Sequence, residues 1–192
     1  RSVSRGLGYV YKRQLSVCKH FPGHGDTDVD SHKALPVLPF TRERLDSVEL
    51  LPFKRYIYDG YAGVMTGHLY VPALDKARNK PVSMSRAVVT DLLQKELGFR
   101  GLCFTDALAM KGATTRKSDN PSVMALLAGN DILLAPTAPI NDFAAVKEAL
   151  EEGILDREEI EAKIIKILQY KYIAGLNDYR PCLLYTSDAA DD

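Results

Sequence analysis

Leu15-Ser16-Val17-Cys18-Lys19-His20-Phe21-Pro22-Gly23-His24-Gly25-Asp26-Thr27-Asp28-Val29-Asp30-Ser31-His32-Lys33-Ala34-Leu35-Pro36 changes character within a few residues. Leu15 to Lys19 is a short apolar run that behaves as a buried strand. The residues after it crowd three histidines (His20, His24, His32) and three aspartates (Asp26, Asp28, Asp30) into one loop. Packing alone does not ask for so many titratable groups together. A loop dense in imidazole and carboxylate, directly after a strand, reads as an active-site loop.

Three more apolar runs follow the same pattern, Ala62 to Thr66, Gly101 to Thr105 and Asp131 to Leu134. Helical periodicity follows the runs, and that alternation implies βα units and a parallel sheet. Asp46 to Tyr58 places Leu50, Phe53 and Ile57 on one face. Ser85 can cap a helix holding Val88, Val89, Leu92 and Leu93, closed by Gly98. A weaker helix is expected over Pro121 to Ala128. The clearest one opens at Asp156, with Glu159 three residues on, lines Ile160, Ile164, Ile167 and Leu168 on one face, and ends at Gly175. Four such units do not close a barrel, which takes eight strands and typically about 250 residues.

The chain has 192 residues, with 25 basic and 25 acidic side chains and no net charge, so nucleic acid and anionic membranes are not expected partners. Apolar content of 46% is ordinary for a globular domain, and no apolar run approaches a transmembrane length. Cys18, Cys103 and Cys182 form no Cys-x-x-Cys pair, and no disulfide framework is implied.

Lys19-His20-Phe21-Pro22-Gly23-His24-Gly25 with Asp30-Ser31-His32, and later Phe104-Thr105-Asp106-Ala107-Leu108, resembles glycoside hydrolase family 3, specifically its NagZ-type β-N-acetylglucosaminidases. The resemblance covers about Leu15 to Tyr179. It implies an α/β fold, a partial TIM-type (β/α)8 barrel, with this chain as about four βα units of the C-terminal half. Residues 1–14 and 180–192 lack the pattern and are expected to be a non-native leader and tail.

Barrel enzymes carry catalytic residues at the C-terminal ends of strands, and Lys19-His20, His68 and Asp106 each stand at such an end. The resemblance implies that Asp106 attacks the anomeric carbon, that His32 is the general acid/base, and that Asp30 orients it. An imidazole suits both proton steps near neutral pH. Lys19 and His20 look like the family's sugar-binding pair, and His68 is expected to line the pocket. His24 either braces the loop or touches sugar.

The implied activity is a retaining release of terminal N-acetylglucosamine from peptidoglycan fragments or chitin-type oligosaccharides. The competing readings are a β-glucosidase or β-xylosidase, a glycoside phosphorylase, and a noncatalytic carbohydrate-binding barrel. No cofactor and no metal are expected. Asp26-x-Asp28-x-Asp30 imitates an EF-hand opening, but Ser31 stands where that loop needs Gly, and Val37 where it needs Glu. His20 and His24 have the spacing of a zinc pair, yet Pro22 and Gly23 forbid the helix that would align them. The expected partner is a small oligosaccharide or muropeptide. Compartment and oligomeric state are left open, the cytoplasm being favoured over the periplasm.

Overall fold

The computed structural model describes residues 15–25, 27, 34–113 and 119–178. Four strands, β1 (Val17–Phe21), β2 (Gly63–Thr66), β3 (Leu102–Ala107) and β4 (Ile132–Leu134), form one sheet in the order β1-β2-β3-β4. Every neighbouring pair is parallel, with Cys18 opposite Val64 and Val64 opposite Cys103. Sequential parallel strands with helical crossovers are the wall of a (β/α)8 barrel, here an arc of four units. The expected runs and the observed strands agree to within two residues.

Side chains alternate across a strand, so Val64 and Cys103 point to one face. That face carries the core: Val64 and Cys103 pack with Phe21, Phe53, Val88, Val89, Leu92 and Leu93 beneath the helices. On the other face Val17 is exposed and Met65 and Phe104 are half-buried.

The chain between β1 and β2 enters its helix at Thr41, whose Oγ1 accepts from the Arg44 N–H. A single turn (Arg42–Arg44) leads into a π-helical stretch (Leu45–Glu49) and then α1 (Leu51–Tyr58). Pro52 has no N–H to give Val48, and the wider Leu50 N to Leu45 O bond of 2.8 Å carries the chain across this point. The helical region starts earlier than Asp46, because Thr41 supplies the cap. Leu50, Phe53 and Ile57 do share the packed face.

Ser85 does not cap the next helix, α2 (Ala87–Glu96, π-helical throughout), with its side chain. Its hydroxyl donates to Asp75 Oδ2, and its backbone carbonyl instead accepts from Val88 and Val89. α3 (Pro121–Ala128) is capped by Asn120, whose Oδ1 accepts from Ser122 and Val123 N–H. It stops at Gly129, at φ +113°, where an added Cβ would lie 2.4 Å from Thr90 Oγ1. α4 (Pro139–Glu151) has no counterpart in the sequence reading. Its apolar residues Ile140 and Phe143 face solvent, and only Ala149 is buried, so the packing signal is faint.

α5 (Arg157–Ile173) begins as expected, with Asp156 Oδ1 accepting from Glu158 and Glu159 N–H. Its apolar face is a correction, because Ile164, Ile165 and Leu168 are exposed and no residue of the helix is buried. Contact with the body is made by Lys166, whose ammonium donates to both carboxylate oxygens of Asp131 at 2.9 and 2.8 Å.

Candidate active site

β1 ends in Lys19-His20-Phe21, and β3 ends in Thr105-Asp106-Ala107. β1 and β3 flank β2 in the sheet, and across it His20 Nε2 comes within 3.5 Å of Asp106 Oδ2. Asp106 Oδ1 accepts the N–H of Ala107 at 2.8 Å. The carboxylate thus has a neighbour at each oxygen, and its side chain keeps 13% of its surface open. A partly exposed carboxylate at the C-terminal end of a barrel strand can attack an electrophilic carbon.

Lys19 and His20 line a cavity of about 420 Å³ together with His24, Glu49 and Phe53. Its volume is in the range of small-molecule sites. Gly23 sits against Glu49, and a Cβ there would come within 3.0 Å of the Glu49 Cβ, at a φ of +140°. That turn needs glycine on both counts. His24 Nδ1 lies 2.7 Å from Thr27 Oγ1, and the Thr27 hydroxyl donates to the His24 carbonyl at 3.1 Å. His24 thus braces the start of the loop. The far side of the loop is pinned where Leu38 N–H and Tyr70 N–H exchange bonds with the Tyr70 and Pro36 carbonyls. Asp30 and His32, between these anchors, lie outside the described residues, as do residues 1–14 and 180–192.

His68 is placed behind the site and not in its wall. The ring is fully buried, with Nδ1 at 2.8 Å from Ser83 Oγ and Nε2 at 3.0 Å from the Ala107 carbonyl. Both nitrogens are occupied by protein, which leaves none for a sugar hydroxyl. Burial pulls its pKa below the ordinary imidazole value, against the raising effects of the Ala107 bond and the Asp106 charge.

Sequence reasoning missed the partners of this ring. Ser83 lies in a 3-10 turn (Val82–Met84), and Asn130 follows the Gly129 stop, where it reads as a turn residue. Asn130 Nδ2 donates to the Ser83 and Ala125 carbonyls at 2.7 and 2.8 Å. The Thr66 hydroxyl lies 2.9 Å from Asn130 Oδ1 and 3.1 Å from the Phe104 carbonyl. Thr66, His68, Ser83 and Asn130 are all fully buried. A polar residue after a helix-stop glycine was the available signal. Among the described residues there is no cluster of three or more His, Cys, Asp or Glu able to hold a metal, and no helix long and apolar enough to cross a membrane.

Residues 8–170 match the glycosyl hydrolase family 3 N-terminal domain. The chain is 36% identical over 177 residues to beta-hexosaminidase A of Pseudoalteromonas piscicida, covering 82% of this chain and 30% of that protein. It is 35% identical over 143 residues to a beta-hexosaminidase of Chromobacterium violaceum, covering 72% and 38%. Its fold superposes on a glycoside hydrolase family 3 beta-N-acetylglucosaminidase from Paenibacillus sp. str. FPU-7 with a TM-score of 0.85 and 34% identity, covering 95% of this chain and 35% of that one. The chain spans about a third of the length of these relatives. The arc of four βα units is thus a section of a TIM-type barrel.

Proposed function

The chain belongs to glycosyl hydrolase family 3, and from that premise we propose that its protein is a retaining exo-β-N-acetylglucosaminidase. The observation that carries the reading is Asp106, partly open at a strand end and held by His20 and the Ala107 N–H. The Asp106 carboxylate attacks the anomeric carbon and forms a glycosyl ester, while the aglycone oxygen leaves with a proton from His32. Water then displaces the ester, and His32 takes its proton. Asp30 fixes the His32 tautomer and stabilises the imidazolium, as an aspartate does in hydrolase triads. Lys19 and His20 hold ring hydroxyls, and His20 links the cavity they share, whose lining does not include Asp106, to that carboxylate 3.5 Å away. The substrate is a terminal N-acetylglucosamine on a muropeptide or a chitin-type oligosaccharide. The beta-hexosaminidase relatives support this class of sugar.

The test is turnover of an aryl N-acetylglucosaminide by the full-length protein. Asp106→Ala is expected to abolish it. His32→Ala is expected to slow natural disaccharides far more than aryl substrates, whose leaving groups need little protonation. Residual Asp106→Ala turnover near the wild-type rate, or equal losses on both substrates for His32→Ala, overturns the assigned roles. Acceleration by phosphate would make the enzyme a phosphorylase.

A further inference from the structure

Behind Asp106 runs a continuous buried chain of hydrogen bonds whose members do not reach the cavity. Ala107 is gripped at both ends: its N–H donates to Asp106 Oδ1, and its carbonyl accepts from His68. A carbonyl oxygen can only accept, so the proton of the neutral ring is on Nε2. Nδ1 is then the acceptor for the Ser83 hydroxyl at 2.8 Å. Ser83 is in turn fixed by its carbonyl, which accepts from Asn130 Nδ2. Asn130 is tied to β2 through Thr66 and to α3 through the Ala125 carbonyl.

We infer that His68 is a positioning residue for the nucleophile, acting through the Ala107 carbonyl, with Ser83 setting its tautomer and Asn130 anchoring Ser83. The inference rests on reading Asp106 as the nucleophile. Fixing both peptide groups of Ala107 fixes the direction in which its N–H points, and with it the carboxylate rotamer. A neutral ring does this without placing a charge beside Asp106, whose Oδ2 lies 3.5 Å from His20 Nε2. Asp106 and His20 are the titratable groups whose charges act on the ring. Positioning of this kind matters because a displacement of about 1 Å at a reacting group can cost about a hundredfold in rate.

Three variants of the full-length protein separate this role from packing. His68→Leu removes the donor, His68→Gln restores an N–H able to reach the Ala107 carbonyl, and Ser83→Ala deletes only the hydroxyl that sets the tautomer. On an aryl N-acetylglucosaminide, His68→Leu is expected to lower kcat about a hundredfold with KM nearly unchanged. His68→Gln should recover most of that loss. Ser83→Ala should lower kcat severalfold and move the acidic limb of the kcat profile. Nitrogen NMR of the wild-type protein should show the Nε2–H tautomer of His68. A rise in KM at unchanged kcat would mean that His68 touches the sugar, and would overturn the inference. Equal losses for Leu and Gln, or an Nδ1–H tautomer, would overturn it too. If His68→Leu fails to fold, Ser83→Ala and the tautomer decide. Absence of wild-type turnover refutes the glycosidase reading itself, whereas wild-type turnover with an unaffected Ser83→Ala kcat refutes only the positioning role.

Discussion

Asp131 has a side chain 1% exposed, and its charge is balanced by Lys166 and by the Cys103 N–H at 2.8 Å. Removing one partner of such a pair leaves a buried charge. Lys166→Met is therefore expected to destabilise the fold by about 3 kcal/mol, the low end for a buried pair because Lys166 is itself partly exposed. Denaturant unfolding measures this, and a loss under about 0.5 kcal/mol would show the pair to behave like a surface one. Cys103 is fully buried, and desolvation pushes its thiol up to about 11. Native protein at pH 8 should leave Cys103 unalkylated until it is unfolded, since the thiolate is the reactive form. His68 titrates with the opposite sense. Its folded pKa is depressed below the unfolded value of about 6.5, so the unfolded chain binds more protons in that window. Its contribution to stability is complete above about pH 6.5 and is lost as pH falls. His68→Gln should flatten that part of the stability profile.

At the scale of elements, the helix ends are where local chemistry acts. Asn120 satisfies two N–H groups at the start of α3, and Asn120→Ala is expected to cost about 1 kcal/mol. Gly129→Ala should cost more, because it combines a left-handed φ with a Cβ that would strike Thr90 Oγ1. Thermal melts of the two variants order these effects, and a smaller loss for Gly129→Ala would contradict the packing around Thr90. The same elements show what patterning can and cannot reveal. Asp156 and Glu159 marked the start of α5 correctly, because capping depends on three or four neighbouring residues. Ser85 had the right type and place for a cap, yet Asp75, ten residues earlier, captures its hydroxyl. Local pattern cannot weigh a competitor from another loop.

Among the described residues, β1 and β4 each have one unpaired edge, and exposed apolar residues collect on α4 and α5: Ile140, Phe143, Ile164, Ile165, Leu168 and Tyr172. Barrels remove sheet edges by closing. The matched region covers only 30% and 38% of two relatives, which supply further chain. Residues 15–178 expressed alone are therefore expected to show no turnover of an aryl N-acetylglucosaminide and to associate through these surfaces. Parent-like turnover by a monomeric 15–178 segment would refute the partial-barrel account of the site.

The amino-acid sequence by itself determined the four strands, most of the helices and the strand-end position of Asp106. Those features rest on periodicity and on short motifs, which are properties of neighbours along the chain. It also singled out Lys19 and His20 as candidate sugar-binding residues, and both line one cavity. Tertiary structure alone decided the role open to His68. A histidine after an apolar strand looks the same in sequence whether its ring faces a cavity or the core. Only the arrival of Ser83 and Ala107, 15 and 39 residues away, consumes both of its nitrogens. Likewise, nothing local to Asn130 reveals that it anchors Ser83, 47 residues earlier. Hydrogen bonds between buried polar groups are selected by three-dimensional proximity, and sequence spacing carries no record of it.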